Sequence, residues 1–150
     1  MTEARTLHNV VVFCLGDTRL ALDLRWVREI VPLPHLTPVP GAPAVVAGVA
    51  ALGGEVVPVL ATGRLLAAGT PRAPRPGDTM IVFAVDDVRA ALAVDRIDEV
   101  STLETAPEGA AMLVGARGGE VQLLDPPALV ATALGLVRAA NDAGAEDRDV

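Results

Sequence analysis

Hydrophobic and polar residues alternate along this chain in short runs, and turn-forming residues separate the runs. Residues 10–15 are a continuous apolar run of strand length, and the Gly-Asp pair at 16–17 is a two-residue turn signal. Residues 18–24 then place a leucine at every second position from residue 20 onward. Because glycine reaches the positive φ that tight turns between antiparallel strands require, the pattern predicts a β-hairpin over residues 10–24.

The same signature returns three more times along the chain. The predicted hairpins cover residues 45–60 around Gly53-Gly54, residues 80–94 around Asp86-Asp87, and residues 112–124 around Gly118-Gly119. The prolines within residues 32–43 exclude regular structure there, since proline has no backbone N–H to donate. Arg25 to Val31 is interpreted as a short helical turn or an irregular segment.

One helix is predicted, near the C-terminal end of the sequence. Asp125-Pro126 is a favourable helix start, because a carboxylate caps free N–H groups and proline fits the first helical position. The apolar residues of the predicted helix share one face: Leu129, Val130, Ala133, Leu134 and Val137. We expect one domain over residues 10–138, with a connecting loop at about 63–78 and polar tails at 1–9 and 139–150.

The hairpins also form an internal repeat. VFCLGDTRLALDL, which starts at Val12, aligns without gaps with VFAVDDVRAALAV, which starts at Val82, and the same alignment places Glu29 over Glu99. A second alignment, with a slightly shorter offset, places the Gly-Gly-Glu-Val sequence at 53–56 over the one at 118–121. Chance similarity between amphipathic strands is the alternative. Short strands, four hairpins and one helix predict a mostly β protein of small barrels, with a groove where the halves meet.

The composition describes the core and excludes several partners. Hydrophobic residues make up 51% of the 150 residues and aromatic residues only 2%, so the core is expected to be aliphatic. The net charge of −7, with no stripe of Lys and Arg, argues against nucleic acid and against an anionic membrane surface. Residues 1–9 lack an apolar signal-peptide core, and Glu55 and Pro58 interrupt the most apolar stretch, so no membrane insertion is expected. A cytoplasmic protein is the expectation.

Residues suited to catalysis or cofactor binding are sparse. His8 and His35 stand in no metal-ligand pattern. Cys14 is the only cysteine, which excludes the usual structural zinc spacings, and we expect it to be buried. The Gly-Gly pairs lack the lysine and the following helix of phosphate loops, and Asp86-Asp87 fits a turn better than a catalytic pair. No catalytic residue, metal or cofactor is therefore expected.

Three segments together resemble the CheW-like family of chemotaxis adaptors. They are FCLGDTRLALDLRWVREIV at 13–31, TPVPGAPAVVAGVAALGGEVVPVL at 37–60 and VDRIDEV at 94–100, and the resemblance extends from about Val10 to Leu136. It implies two small SH3-like five-stranded β-barrels packed around a shared hydrophobic centre, with a short C-terminal helix. It also implies a cytoplasmic scaffold without enzyme activity or cofactor. Such a scaffold links chemoreceptor tips to the regulatory domain of a CheA-type histidine kinase.

The resemblance further implies partner-binding positions. Val27 and Glu29 fall in the Val-x-Glu-Ile/Val motif associated with receptor and kinase contacts, and Met80 and Val100 fall on apolar groove positions associated with receptor binding. A receptor tip is a helical hairpin, and an amphipathic helix needs an apolar groove with a few polar anchors, of which Glu29 is a candidate. Core packing is the alternative for the three apolar residues, and a solvated surface carboxylate is the alternative for Glu29.

The sequence departs from the family pattern at two positions. The family usually shows Asn-Leu-Arg-Gly where this chain has Ala51-Leu52-Gly53-Gly54, so Gly53 replaces a receptor-side arginine. Ala61 replaces an aspartate that usually follows Val-Pro-Val. Trp26 is interpreted either as a compensating interface anchor or as a cap on the core.

Two other functions remain open. The loss of arginine at Gly53 motivates a one-sided adaptor that has lost standard receptor binding. A small-molecule binder or diverged enzyme would need convergent polar groups in the groove between the barrels, for which the candidates are Glu29, Glu99, Asp98 and Asp95.

Overall fold

The computed structural model describes residues 7–66, 73–105, 112–114 and 120–135. Within these ranges the elements follow in the order β1 (Leu7–Leu15), β2 (Thr18–Asp23), β3 (Val27–Pro32), β4 (Val46–Leu52), β5 (Glu55–Ala61), α1 (Thr62–Leu66), β6 (Thr79–Val85), β7 (Val88–Val94), β8 (Arg96–Thr105), β9 (Met112–Val114), β10 (Glu120–Leu123) and α2 (126–135). The antiparallel pairs β1–β2, β4–β5 and β6–β7 confirm the first three predicted hairpins.

The described strands assemble into two five-stranded units. Strands β1, β2, β10, β9 and β8 pair in that order and close into a barrel, here called barrel A. Strands β3, β6, β7, β5 and β4 form a second unit, here called sheet B, which encloses its own apolar interior. A bridge between Thr37 and Val49 joins residues 32–43, here called the proline-rich segment, to the edge strand β4. The predicted fold class, a mostly β protein of two small five-stranded β-barrels around a shared hydrophobic centre with a short C-terminal helix, is confirmed, with barrel A closed and the second unit a five-stranded sheet.

Each unit contains strands from both sequence repeats. Sheet B is contiguous in sequence and uses β3 to β7, whereas barrel A combines the hairpin β1–β2 with β8, β9 and β10. The first repeat therefore contributes its hairpin to barrel A and its other strands to sheet B, and the second repeat does the reverse. Within the described ranges the chain crosses between the units at residues 24–26 and again at Asp95. The halves visible in the sequence are thus different from the two structural units.

The strand registers repeat as the alignment of Val12 with Val82 predicts. β1 and β2 pair in the same register as their aligned counterparts, β6 and β7. Val12 of β1 lies opposite Glu99 of β8, and Val82 of β6 lies opposite Glu29 of β3. Both of these ladders have a register shift beside that pair. Two ladders with the same register and the same bulge exclude chance similarity between strands as the source of the repeat.

The predicted alignment of the two Gly-Gly hairpins is wrong by a single position for β5 and β10. Val59 of β5 lies opposite Ala91 in the parallel pair with β7, while Leu123 of β10 lies opposite Ala21 in the parallel pair with β2. Ala21 and Ala91 are equivalent repeat positions, so Val59 corresponds in the structure to Leu123. The sequence alignment instead places Val59 over Leu124. Successive strand residues point to opposite faces, so this shift moves side chains from one face to the other. Val56 is accordingly 70% exposed, while Val121, its counterpart in the sequence alignment, is buried.

Alternating side chains divide the interior into three apolar layers. The interior of barrel A contains Val10, Val12, Ala21, Leu103 and Val121. The interior of sheet B contains Leu33, Ala50, Val57, Val59, Met80, Val82, Ala91 and Ala93. Between the units lies a third layer, here called the central core, formed by Val11, Phe13, Leu15, Leu20, Leu22, Leu60, Ile81, Phe83, Ala90, Leu92, Val94, Leu124, Leu129 and Ala133. The hairpins β1–β2 and β6–β7 thus present one face to their own unit and the other face to the central core.

The interpretation of Arg25 to Val31 as a helical turn or irregular segment is wrong. Val27–Pro32 is strand β3 and pairs with β6. The register shift between Val27 and Glu29 inserts an extra residue into the strand. A bulge of this kind breaks the alternation of apolar positions, and the sequence pattern was therefore not recognisable as a strand.

Other boundaries also change. β1 begins at Leu7, because residues 7–9, expected in a tail, pair with residues 102–104 of β8. Part of the expected connecting loop forms the short helix α1. Helix α2 follows Asp125 as predicted, but Leu134, expected on its apolar face, is 45% exposed. Gly118-Gly119, Val137 and the tail 139–150 lie outside the described residues, and Val114 of β9 lies opposite Glu120.

We expect Gly48→Ala to destabilise the protein. A Cβ at Gly48 would lie 2.7 Å from the carbonyl oxygen of Thr37, whose backbone exchanges two hydrogen bonds with Val49. Relieving this overlap would push the proline-rich segment away from β4, so urea unfolding should show a loss of about 1–3 kcal/mol. Gly135→Ala is the control, because a Cβ there meets nothing within 4 Å. Equal losses in the two variants would contradict the steric explanation.

Candidate functional site

The fold separates the six positions that the family resemblance singles out. Three lie at or in β3, one lies in the β4–β5 turn at the opposite edge of sheet B, one lies inside sheet B and one lies on barrel A: Trp26, Val27 and Glu29, then Gly53, Met80 and Val100. These residues therefore belong to different surfaces and do not form one contact patch.

Met80 is a core residue, which corrects its assignment to an apolar groove. It is fully buried inside sheet B, together with Val82 two positions further along β6. Ile81, between them, points to the central core instead. A partner cannot reach Met80 unless the sheet opens. Val100 differs, since its side chain is 59% exposed on β8.

Trp26 and Val27 cover one side of the central core. Both are half-buried and pack against it. The Trp26 carbonyl oxygen accepts a hydrogen bond from the Ala84 N–H at 3.0 Å, which fixes the start of β3 on β6. The guanidinium of Arg25 lies 5.0 Å from the centre of the indole ring, within cation–π range. Trp26 therefore caps the core and at the same time supports an exposed cation.

Glu29 and Glu99 occupy equivalent repeat positions but differ in their contacts. The Glu99 carboxylate lies 3.4 Å from the Arg19 guanidinium. Arg89, the equivalent of Arg19, instead pairs with Glu55 at the end of sheet B. Glu29 is exposed and, within the described ranges, has no hydrogen-bond or ion-pair partner. Its carboxylate is therefore free to meet a cation of another protein without breaking an internal contact.

Gly53 lies at the tip of the turn between β4 and β5. Its φ is +53° and that of Gly54 is +84°, in the left-handed region that two-residue hairpin turns require. Gly53 is exposed, and a Cβ there would meet nothing within 4 Å. A longer side chain at this position would extend into solvent, and its main cost would be the left-handed backbone.

A concave surface beside Val100 is the strongest candidate for partner binding. One of its walls is the segment that crosses from barrel A to sheet B, and we call it the crossover groove. The groove encloses about 480 Å³ and is lined by Leu7, His8, Asn9, Asp23, Leu24, Arg25, Val100, Ser101 and Thr102. Leu7 and Val100 are 61% and 59% exposed. Two large aliphatic side chains exposed on one concave surface are typical of an interaction site.

Polar contacts surround these aliphatic side chains. The Asp23 carboxylate accepts the backbone N–H of Arg25 at 3.0 Å and lies 3.6 Å from His8 Nδ1. The Thr102 hydroxyl donates to Asn9 Oδ1 at 2.7 Å, across the β1–β8 pair. The Arg25 side chain is 73% exposed beside them. Apolar positions within a fixed polar rim suit the face of an amphipathic helix.

Sequence reasoning missed Leu7 and Arg25. Leu7 falls in the expected N-terminal tail, and only its pairing with Glu104 places it on the same groove as Val100. For Arg25 the repeat contained a signal, because the alignment of Val12 with Val82 places it over Asp95, the other crossover residue. The alignment therefore paired the two crossover positions, and only the topology identified them as crossovers.

The carboxylates considered for chemistry between the units do not converge. Asp98 and Glu99 both pair with Arg19 on barrel A. Asp95 accepts the Gly16 N–H at 2.7 Å and so fixes the β1–β2 turn to the second crossover. The space between the units is filled by the central core. These contacts do not favour a ligand or reaction site there.

Neither a metal centre nor a membrane-spanning helix is present in the part of the chain that the structure describes. Its His, Cys, Asp and Glu side chains form no group of three or more arranged to hold a metal ion. None of its helices has the length and apolar character needed to cross a membrane.

Comparison with known proteins identifies a family and a fold. The family model described as CheW-like domain matches residues 9–133. A chemotaxis protein CheW of Treponema pallidum (strain Nichols) is 29% identical over 95 residues, which are 61% of this chain and 56% of that protein. The scaffolding protein TtCheW from Thermoanaerobacter tengcongensis matches with a TM-score of 0.68 and 22% identity, over 80% of this chain and 90% of that one. The chain thus matches little more than half of the curated relative, and its likeness to TtCheW concerns the fold.

The contrast between Met80 and Val100 is testable by unfolding. Met80→Ala should reduce the free energy of unfolding by about 2–5 kcal/mol, because it leaves a cavity inside sheet B. Val100→Ser should change it by no more than about 0.5 kcal/mol, because the side chain is exposed. Both values come from urea titrations. Similar losses for the two substitutions would show that Val100 belongs to the core.

Proposed function

The chain belongs to the CheW-like domain family, and we propose that it is a non-catalytic cytoplasmic adaptor that links a chemoreceptor tip to a CheA-type histidine kinase. The family match covers residues 9–133, which include strands of both barrel A and sheet B. The names of the similar proteins, a chemotaxis protein and a scaffolding protein, support a role in chemosensory signalling. The work of an adaptor is binding, so the proposal depends on exposed surfaces and not on a reaction site.

The crossover groove is the observation that carries the proposal. A helical receptor tip would cover the aliphatic side chains of Leu7 and Val100, and its polar side chains would meet Asp23 and Arg25 at the rim. Hydrogen bonds restrict the Asp23, Asn9 and Thr102 side chains of the rim before binding, which lowers the entropic cost of association. We expect an interface that buries on the order of 1,200–2,000 Å² or less.

We assign kinase binding to the exposed edge strand β3. Glu29 has no internal partner among the described residues, and the neighbouring Ile30 is 39% exposed. Ile30 is the repeat equivalent of Val100, so each unit presents an aliphatic side chain on the corresponding strand. Successive strand residues point to opposite faces, so Glu29 and Ile30 present a polar anchor and an apolar contact on the two sides of the edge strand β3, outside the groove.

We expect Val100→Glu to weaken receptor-tip binding by about 30-fold or more, as for an interface hot spot. The new carboxylate would be desolvated against the apolar face of the receptor helix. Trp26, the only tryptophan, follows the groove residue Arg25, so its fluorescence is a convenient measure of binding.

Val88→Glu is the matched control, because Val88 is 44% exposed on sheet B and lies outside the groove. Its receptor affinity should stay within a factor of about two. Equal weakening by the two substitutions would remove the groove as the receptor site. If neither the receptor tip nor the kinase regulatory domain of the same cell binds the unmodified chain, the adaptor proposal fails.

A one-sided adaptor is the second candidate function, and Gly53 motivates it. The turn that would carry a receptor-side arginine according to the family resemblance has glycine, while the only charged pair near it joins Glu55 to Arg89 within the described residues. Under this proposal the chain retains kinase binding and has lost the standard receptor contact.

The candidate predicts that Gly53→Arg increases receptor-tip affinity about tenfold, the usual effect of one added charge-assisted contact. Gly53→Asn is the matched control, since it meets the same positive φ without adding a charge. Gly53→Arg should lose about 1 kcal/mol of stability for the left-handed backbone, and Gly53→Asn should lose less, because asparagine adopts this conformation more readily. An unchanged affinity in Gly53→Arg would remove this position as the explanation for any weak receptor binding.

A further inference from the structure

A second concave surface lies at sheet B, between the proline-rich segment and residues 73–76. It encloses about 450 Å³ and is lined by Leu33, Pro34, His35, Leu36, Ala44, Val46, Ala47, Ala61, Arg64, Ala73, Pro74 and Pro76. We call it the proline pocket. Among the described residues its lining shares no member with the crossover groove, and its volume falls in the range of small-molecule sites.

The walls of the proline pocket are fixed by backbone hydrogen bonds. The Leu33 N–H donates to the Asp78 carbonyl oxygen at 2.6 Å, and the Gly77 N–H donates to the Leu33 carbonyl oxygen at 3.1 Å. On the other side, the Ala61 N–H donates to the Val45 carbonyl oxygen at 2.8 Å. Prolines add rigidity because the ring fixes φ. The pocket is therefore formed before a ligand arrives, which reduces the entropic cost of binding.

The described side chains that line the proline pocket are apolar with two exceptions. Leu33 and Ala61 are 3% and 4% exposed and form part of the buried wall. The exceptions are Arg64 and His35, both exposed at the rim. The residues that follow Arg64 in α1, at 65–66, pack against the central core, which anchors the helix that carries the cation. Neither Arg64 nor His35 has a hydrogen-bond or ion-pair partner among the described residues.

The lack of an internal partner for Arg64 among the described residues points to an anionic ligand, because acidic residues are in excess in this chain. The sequence has 19 Asp and Glu against 12 Lys and Arg, yet no acidic side chain of the described residues lines the proline pocket. Guanidinium groups bind carboxylates through two parallel hydrogen bonds. Apolar walls with a cationic rim therefore fit a ligand with a hydrocarbon body and one carboxylate.

We propose that the proline pocket binds a small amphipathic monocarboxylate, with its hydrocarbon part against Leu33, Leu36 and Val46 and its carboxylate at Arg64. His35 adds a second hydrogen-bond donor at the rim. The proposal is independent of the adaptor function, because it concerns a different surface and needs no protein partner. Simple phosphate or sulfate does not fit, since neither would contact the apolar walls.

Octanoate and 1-octanol are the test probes, because they have the same chain length and differ in the carboxylate. Titration calorimetry of the full chain should show saturable octanoate binding and at least tenfold weaker 1-octanol binding. In ¹H–¹⁵N spectra the octanoate shifts should concentrate on the amides of the non-proline residues at 33–36, 44–47 and 61–64. Shifts confined to the crossover groove, or equal binding of the two probes, would overturn the proposal.

Substitutions separate the charge from the cavity. Arg64→Gln should weaken octanoate binding roughly tenfold, while Arg96→Gln, a loss of the same charge at an exposed position on barrel A, should leave it unchanged. Ala44→Phe places a ring at the exposed wall of the pocket and should weaken both probes. Equal losses in Arg64→Gln and Arg96→Gln would show only nonspecific charge attraction and would overturn the assigned site. Absence of saturable octanoate binding would overturn it as well.

Discussion

The central core between barrel A and sheet B holds the two units together and sets the position of the surfaces formed where the units meet. The only two phenylalanines of the chain, Phe13 and Phe83, occupy equivalent repeat positions, and both are fully buried in this layer. Burying a side chain of this kind contributes about 1.5–3 kcal/mol. Each unit has a hairpin face that packs into the central core together with the other unit and helix α2, so the two units fix each other's position. The position of the surfaces formed where the two units meet is therefore fixed as well.

The two crossovers connect the packing of the central core to the shape of the crossover groove. Asp95 connects sheet B to barrel A and holds the β1–β2 turn through the Gly16 N–H. At the other crossover, Trp26 caps the central core while Arg25 lines the crossover groove. The apolar layer and the proposed receptor site are therefore adjacent parts of one arrangement. A change that loosens the core at Trp26 would also displace the groove wall.

The repeat provides an internal comparison for function. Equivalent positions have the same fold requirements, so a difference between them points to something other than folding. Glu99 pairs with Arg19, whereas its equivalent Glu29 is exposed and unpaired within the described residues. Asp86 has a φ of +52° where its equivalent, Gly16, has +58°, so the fold tolerates a residue that costs more in that conformation. Such differences locate candidate contact residues without an alignment of relatives.

Local patterns in the chain were enough to predict the fold class, three hairpins, the start of α2 and the repeat that places Val12 over Val82, because turn chemistry and alternation act over short distances. Long-range packing was needed to show that the repeats exchange hairpins, that β3 is a bulged strand and that Val59 corresponds to Leu123. The same holds for the candidate site: the resemblance selected Val100 and Met80 alike, and side-chain direction separated an exposed residue from a core residue. Leu7 and Arg25 both line the crossover groove, although Leu7 lies in β1 and Arg25 lies between β2 and β3. Such pairings join residues distant in sequence, and alternation within one strand cannot specify which strand lies beside it.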